Sequence, residues 1–243
     1  MRSGYRAPRR WLQMALGTAL LASAAMALAQ PAARVEPAAA AQRAAAPRTA
    51  APRTAAPSTA APRTVLVLGD SLSAAYGLRE DQGWVAMLGE RVTAGHPGWQ
   101  VVNASISGET SAGGSARVVD EVLRHRPAVV VIALGANDAL RGLPLPELRR
   151  NLARMIGASR HVGARVLLVG MRMPPNLGAD YTRGFEQTYR DLAAFFDVEL
   201  LPFLLEPIAA DRGNFMDDNL HPTARAQPAI ARHVWPALEP LLR

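Results

Sequence analysis

The chain has 243 residues, a length typical of one large domain or two small ones. Its 27 basic and 20 acidic residues give a net charge of +7, which alone would suggest a nucleic-acid or anionic-membrane partner. However, residues 1–63 carry nine arginines and one acidic residue, whereas residues 64–243 carry eighteen arginines and nineteen acidic residues. The folded part is therefore almost neutral, and no nucleic-acid partner is expected. The absence of cysteine excludes disulfides, thiolate metal sites and a cysteine nucleophile.

Residues 1–29 have the layout of a secretory signal peptide. Arginines precede an apolar run over residues 11–27, and Ala27-Leu28-Ala29 forms a small-x-small cleavage pattern. A retained membrane anchor stays open as an alternative, although the run has only 17 residues and is rich in alanine. The pair Arg9-Arg10 leaves open whether export follows the general or the twin-arginine route. We therefore expect an exported protein, either periplasmic or secreted.

Residues 30–63 consist almost wholly of alanine, proline, arginine and threonine, and they contain a five-residue repeat of the type APRTA. Such a segment lacks the large apolar side chains of a core, and its prolines interrupt helices. It is predicted to be a disordered linker. Its five arginines against one glutamate leave open a weak contact with an anionic envelope surface.

Residues 64–243 are predicted to form one α/β domain. Five continuous apolar runs are typical of strands buried on both faces of a parallel sheet, namely residues 65–68, 100–104, 128–134, 165–169 and 198–203. Helical stretches alternate with them over residues 83–94, 111–126, 145–161, 181–196 and 222–242. This alternation predicts a three-layer α/β/α sandwich around a doubly wound, five-stranded parallel sheet. Functional side chains are then expected beyond the carboxyl ends of the strands.

Three of these strand ends carry groups suited to acyl transfer. Ser71 follows the first run within Gly69-Asp70-Ser71, and its hydroxyl is a candidate nucleophile. Gly108 follows the second run and offers a backbone N–H just before a helix, while Asn137 follows the third and offers an amide donor. Each motif also has an ordinary explanation, namely a turn-capping serine, a turn glycine or an Asx turn.

Near the C-terminus, Asp218 and His221 are three residues apart. Within one tight turn, the carboxylate can hold the tautomer of the imidazole, which can then act as a general base. The spacing is a weak signal by itself. Together with the other three motifs, in order along the chain, it supplies a nucleophile, oxyanion donors and a base with its orienting acid.

The segments LGDSLSAAYG, VVNASISGETS, LGANDALRG, LLPF and DDNLHP resemble the SGNH (GDSL) hydrolase superfamily. They are most similar to its bacterial multifunctional acyl-CoA thioesterase/lysophospholipase/arylesterase subfamily, and the resemblance covers residues 64–242. It implies a flavodoxin-like SGNH hydrolase fold with Ser71 as nucleophile, His221 as general base and acid, and Asp218 as the orienting carboxylate. The implied oxyanion hole consists of three donors, the backbone N–H groups of Ser71 and Gly108 and the side-chain amide of Asn137.

The resemblance also implies where the acyl chain binds. The loop that contains Leu140, Arg141 and Gly142 is expected to close over the chain, with Gly142 as a hinge. Met173 and Pro174 are expected to line the acyl crevice.

The expected function is hydrolysis of acyl esters and thioesters through an acyl-enzyme intermediate. The expected substrates are aryl and alkyl esters, lysophospholipids and, in vitro, acyl-CoA. No cofactor and no metal ion are expected, and the chain is expected to act as a monomer on small-molecule ester or lipid substrates. Two alternatives stay open, namely removal or transfer of acetyl groups on an envelope polysaccharide, and a non-catalytic binding module tethered by the linker.

Overall fold

The computed structural model describes residues 61–173 and 175–243. Five strands form its centre, β1 (Arg63–Gly69), β2 (Trp99–Asn103), β3 (Val129–Ala133), β4 (Arg165–Val169) and β5 (Glu199–Leu201). They form one parallel sheet in the order β2-β1-β3-β4-β5. Val67 of β1 pairs with Asn103 of β2 and with Val131 of β3, so the carboxyl ends of these three strands meet at one edge.

The described residues contain six α-helices, α1 (Trp84–Gly95), α2 (Ser111–His125), α3 (Ala136–Leu140), α4 (Leu145–His161), α5 (Ala179–Phe196) and α6 (Gln227–Leu238). All of them except the short α3 pack against the sheet. Helix α1 packs against α6 in one layer, and α4 packs against both α2 and α5 in the other. The three-layer α/β/α sandwich with a doubly wound, five-stranded parallel sheet is therefore confirmed.

The strands form where the sequence has continuous apolar runs, because both faces of the sheet are covered by helices. All five residues of β3 and six of the seven residues of β1 are buried. The helices add apolar stripes at helical spacing, as in α4, where Leu148, Leu152, Met155 and Ile156 are buried. These side chains belong to one continuous core.

The last strand is shorter than its apolar run predicts. The run covers residues 198–203, but β5 pairs with β4 only over Glu199–Leu201. Pro202 follows directly and has no N–H to donate to a neighbouring strand, so the pairing ends there.

Two helix predictions also differ from the structure. The helix expected over residues 222–242 is limited to Gln227–Leu238, because a loop and a 3-10 turn over Ala224–Ala226 precede it. Residues 136–140 form the short helix α3, where only a loop was expected. Five residues are too few to produce a helical pattern of apolar side chains. The other predicted strands and helices agree with the structure to within two residues at each end.

The predicted signal peptide and residues 30–60 of the predicted linker lie outside the described residues. Strand β1 begins at Arg63, which the sequence analysis assigned to the linker. The Arg63 guanidinium lies 4.4 Å from the centre of the Trp99 ring, and the Arg63 N–H donates to the Gly98 carbonyl oxygen at 2.7 Å. Among the residues that the structure describes, no helix is long and apolar enough to cross a membrane.

Gly135, between β3 and α3, is a position where a side chain does not fit. Its φ is +123°, and a Cβ atom there would lie 2.0 Å from the Tyr189 hydroxyl oxygen and 3.1 Å from Leu148 Cδ1. The Tyr189 hydroxyl is fixed because it donates to the Leu134 carbonyl oxygen at 2.8 Å. Burial raises the pKa of Tyr189 well above its usual value, which keeps this donor neutral.

We expect the substitution Gly135→Ala to lower the free energy of unfolding by about 2–4 kcal/mol, because it combines backbone strain with a steric clash. Urea-induced unfolding followed by circular dichroism measures this change. Gly157→Ala is the matched control, since it lies within α4 and its Cβ would meet no atom within 4 Å. The control is expected to raise the unfolding free energy by up to about 1 kcal/mol. Equal losses in the two variants would contradict this account of Gly135.

Candidate active site

Ser71, His221 and Asp218 form a continuous hydrogen-bonded chain of side chains. The Ser71 Oγ atom lies 2.9 Å from His221 Nε2, and His221 Nδ1 lies 2.6 Å from Asp218 Oδ2. The carboxylate is an acceptor, so Nδ1 carries the proton and Nε2 is left to accept from the Ser71 hydroxyl. The arrangement has the geometry of a serine nucleophile with its general base.

The turn that contains Asp218 and His221 is fixed by the Asp218 carboxylate itself. Oδ1 accepts from the backbone N–H groups of Leu220 at 2.9 Å and His221 at 3.0 Å. The hydrogen bond from the His221 side chain, followed by these two backbone donors, lowers the pKa of Asp218 to about 2. The carboxylate is therefore charged at neutral pH and holds the imidazole in one orientation.

Asp70 precedes Ser71, and its pKa is shifted in the opposite direction from that of Asp218. Its side chain is only 1% exposed, and burial raises its pKa to about 6, although its Oδ1 accepts from the Leu72 N–H at 3.0 Å. The Leu72 carbonyl oxygen in turn accepts from Trp84 Nε1 at 2.9 Å. These contacts fix the turn that carries Ser71. In the described part of the chain, no group of three or more His, Asp or Glu side chains is arranged to hold a metal ion.

The three predicted oxyanion donors come from three different segments, which follow β1, β2 and β3 at the same sheet edge. The backbone N–H groups of Ser71 and Gly108 donate to no acceptor among the described residues. Gly108 has φ +79°, a conformation that favours glycine. The Asn137 amide nitrogen donates to the Glu109 carbonyl oxygen at 3.0 Å and lies 3.3 Å from Asp70 Oδ2. The amide is thus held beside the Gly108 loop.

The loop that carries Gly108 is fixed by an ion pair that the sequence analysis missed. Arg117 Nε donates to Glu109 Oε1 at 2.8 Å, and Arg117 Nη2 donates to the Ala104 carbonyl oxygen at 2.6 Å. The Glu109 side chain is only 7% exposed. Glu109 lies in a loop and Arg117 lies in α2, and no regular spacing predicts a contact between such positions. The sequence therefore gives no clear signal for this ion pair.

Asp138 connects the segment that contains Asn137 to α2, the helix that also carries Arg117. Its carboxylate accepts hydrogen bonds from both the backbone N–H and the hydroxyl of Ser111, the first residue of α2. The Ser111 hydroxyl also accepts from Asn151 Nδ2 at 3.0 Å. Helix α2 therefore forms hydrogen bonds to both the Gly108 loop and α3.

A mostly apolar pocket of about 170 Å³ adjoins the site on the side of β3, β4 and β5. Its walls are Ala136, Leu140, Met171, Arg172, Met173, Phe203, Leu205, Ala209, Phe215, Asn219 and Leu220. Leu220 is the neighbour of His221 and Ala136 is the neighbour of Asn137. The pocket therefore adjoins the turn that carries His221 and the helix that carries Asn137.

Only two of the five residues predicted to bind the acyl chain are found in the walls of this pocket. Leu140 and Met173 line the pocket. Arg141 and Gly142 are not among its lining residues. The Arg141 guanidinium donates to the Gly108 carbonyl oxygen at 3.0 Å, and Gly142 lies two residues beyond the end of α3 with φ +61°. Pro174 lies outside the described residues.

Tyr76 is a second site residue that the sequence analysis did not single out. Its ring centre lies 4.3 Å from that of His221, with an angle of 33° between the two ring planes. Half of the Tyr76 side chain is exposed. The only sequence signal that pointed to Tyr76 as a site residue was its place in the segment LGDSLSAAYG, which carries the family resemblance.

Comparison with known proteins agrees with this geometry. The model of the GDSL-like Lipase/Acylhydrolase family matches residues 67–228. The chain belongs to this family. It is 48% identical to Esterase TesA of Pseudomonas aeruginosa over 179 residues, which cover 74% of this chain and 89% of that protein. It is 41% identical to an Arylesterase of Vibrio mimicus, over 70% of this chain and 85% of that protein.

A third relative is Thioesterase 1/protease 1/lysophospholipase L1 of Escherichia coli, which is 39% identical over 74% of this chain and 85% of that protein. Among solved structures, the crystal structure of TesA has a TM-score of 0.72 and 47% identity, and it covers 74% of this chain and 99% of that chain. The psychrotrophic esterase EstA from Pseudoalteromonas sp., inhibited by monoethylphosphonate, has a TM-score of 0.71 at 36% identity, over 74% and 98% of the two chains. The chain is therefore an esterase-type hydrolase, as the sequence analysis expected.

The buried Asp70 carboxyl predicts a pH-dependent stability. Its folded-state pKa of about 6 lies above the usual aspartate value of 3.8, so the folded protein binds this proton more tightly than the unfolded chain. The folded state should therefore lose stability as the pH rises from 4 to 6.5, by about 2 kcal/mol from this group. We expect Asp70→Asn to remove most of that loss, because an amide does not ionise.

Urea-induced unfolding at pH 4 and at pH 6.5 measures this difference in the parent and in Asp70→Asn. Asp81→Asn serves as the control, because Asp81 is exposed and forms an ion pair with the exposed Arg79. The same pH dependence in the parent and in Asp70→Asn would contradict the assignment.

Proposed function

We propose that the chain is an exported serine esterase in which Ser71 accepts the acyl group of an ester or thioester and then passes it to water. The observation that carries the proposal is the chain of contacts from Ser71 Oγ through His221 to Asp218, at 2.9 Å and 2.6 Å. A mostly apolar pocket, together with the Ser71 and Gly108 backbone N–H groups that have no acceptor among the described residues, supports the same reaction.

In the first half-reaction, Ser71 Oγ attacks the carbonyl carbon of the substrate and its proton moves to His221 Nε2. The Asp218 carboxylate stabilises the imidazolium that forms. The tetrahedral intermediate then collapses, the bond to the leaving group breaks, and His221 Nε2 returns the proton to the leaving oxygen or sulfur. Ser71 is left as an acyl ester.

In the second half-reaction, a water molecule attacks the acyl ester, and His221 accepts a proton from it and later returns that proton to Ser71 Oγ. In both halves the negative oxygen accepts from the backbone N–H groups of Ser71 and Gly108 and from the Asn137 amide. One such donor contributes about 3 kcal/mol to stabilisation of the transition state. The amide exchanges its contact with Asp70 for the oxyanion while Glu109 keeps it oriented.

The proposed substrates are aryl and alkyl esters, lysophospholipids and acyl thioesters. The apolar walls of the pocket, among them Leu140, Met173 and Phe215, support an acyl chain longer than acetyl. The names of the relatives, which include an arylesterase and a thioesterase/lysophospholipase, support the same range of leaving groups. No hydrolysis step needs a cofactor.

The proposal of export rests on residues 1–29, whose arginines, apolar run and Ala27-Leu28-Ala29 pattern are typical of a signal peptide. Mass spectrometry of the protein recovered from fractionated cells tests it. We expect a mature N-terminus at Gln30 in the exported fraction. A full-length chain that stays with the membrane would instead support the retained anchor.

Kinetics with p-nitrophenyl esters from acetate to palmitate test the proposed reaction. We expect kcat of the Ser71→Ala variant to fall about 10⁴-fold or more with all esters, because the substitution removes the hydroxyl that is hydrogen-bonded to His221 Nε2. Ser107→Ala is the matched control, since Ser107 is an exposed serine in the neighbouring loop. We expect this control to keep parental activity. A folded Ser71→Ala variant with parental activity, or a folded parent that is inactive on every ester, would overturn the proposal.

A further inference from the structure

The active site has a second side that the acyl pocket does not occupy. The pocket walls come from segments that follow β3, β4 and β5, as shown by Leu140, Met173 and Phe203. Ser71 follows β1, which lies between β2 and β3 in the sheet. The segments that follow β1 and β2 therefore border the site on the side away from the acyl pocket.

Both of these segments expose a large apolar side chain at the site. Tyr76, after β1, is 50% exposed, and Ile106, after β2, is 51% exposed. Ile106 lies two residues before Gly108, and its N–H donates to the Gly69 carbonyl oxygen at 3.0 Å. Exposed apolar side chains at the edge of a reaction centre are suited to contact with a ligand, because that contact removes them from water.

The backbone fixes the position of Tyr76. Its N–H donates to the Ser71 carbonyl oxygen at 3.2 Å, and Leu78 N–H donates to the Ala75 carbonyl oxygen at 2.9 Å. Gly77 has φ +72°, and a Cβ atom there would lie 3.2 Å from Met216. The ring is therefore held over the imidazole by the turn that carries the Ser71 hydroxyl.

The role of Tyr76 inferred here rests on the proposed esterase function. In that reaction, the position of the leaving group determines what the Tyr76 ring can contact. His221 Nε2 must come within hydrogen-bonding distance of the leaving oxygen in order to protonate it. The substituent on that oxygen then lies beside the His221 imidazole, which is in contact with Tyr76 at 4.3 Å between ring centres. An aromatic leaving group is within reach of an offset or edge-to-face contact with the tyrosine ring.

We propose that Tyr76 forms a leaving-group subsite that favours esters of aromatic alcohols. Tyr76 is then a specificity-determining residue, and it acts in the acylation half-reaction only. Deacylation is unaffected by the subsite, because the leaving group has departed before water attacks.

Two butyrate esters separate this subsite from a general effect on His221. Benzyl butyrate and methyl butyrate give the same acyl-enzyme and release primary alcohols, but only benzyl alcohol has a ring. We expect Tyr76→Ala to lower the ratio of kcat/KM for benzyl butyrate over methyl butyrate by about tenfold. Tyr76→Phe keeps the ring, so its ratio should stay within about twofold of the parental ratio.

Phe195→Ala is the matched control, because Phe195 is an aromatic residue on α5 that is 76% exposed and contacts Phe196. The control should leave the ratio unchanged. An equal loss on both esters in Tyr76→Ala would overturn the subsite, because it would mean that the ring acts only through His221. An unchanged ratio would overturn it as well. A folded parent that hydrolyses neither ester would instead overturn the proposed function and, with it, this inference.

Discussion

The hydrogen bond between Ser71 Oγ and His221 Nε2 joins two residues that are 150 positions apart, and the reaction that we propose depends on it. Ser71 lies two residues beyond the end of the buried strand β1, and the buried Asp70 between them stabilises its turn. His221 is fixed from the other side by the Asp218 carboxylate and by the bond from Met216 N–H to the His221 carbonyl oxygen at 2.8 Å. The parallel sheet is what brings the two supports to the same edge.

Two aspartates within this small region have pKa values shifted in opposite directions, one by burial and the other by hydrogen bonds. Asp218 is partly exposed and accepts three hydrogen bonds, so its pKa falls to about 2 and it stays available as a charge beside His221. Asp70 is buried, so its pKa rises to about 6. One carboxylate thus serves the imidazole, whereas the other maintains the backbone that carries the nucleophile. The cost of burying Asp70 is a loss of stability near neutral pH.

Much of the fold was predictable from the sequence, because strands covered on both faces require continuous apolar runs such as that of β3. The element ends were less predictable. Pro202 ends β5 through its missing N–H, and α3 is too short for a periodic pattern. The residues of the four motifs do meet at one sheet edge, as strand order implies, while their catalytic roles stay predictions. The Tyr76–His221 and Arg117–Glu109 contacts were missed, because they depend on how loops pack and no sequence spacing encodes them.

Trapping of the acyl-enzyme tests the central claim, that Ser71 is the acyl acceptor, most directly. The protein is mixed with p-nitrophenyl butyrate and quenched in acid within the first turnover, and its intact mass and its peptides are then measured by mass spectrometry. The account predicts one added butyryl group, on the peptide that contains Ser71, and no adduct in Ser71→Ala. A butyryl group on a different residue, during turnover that Ser71→Ala also sustains, would contradict it.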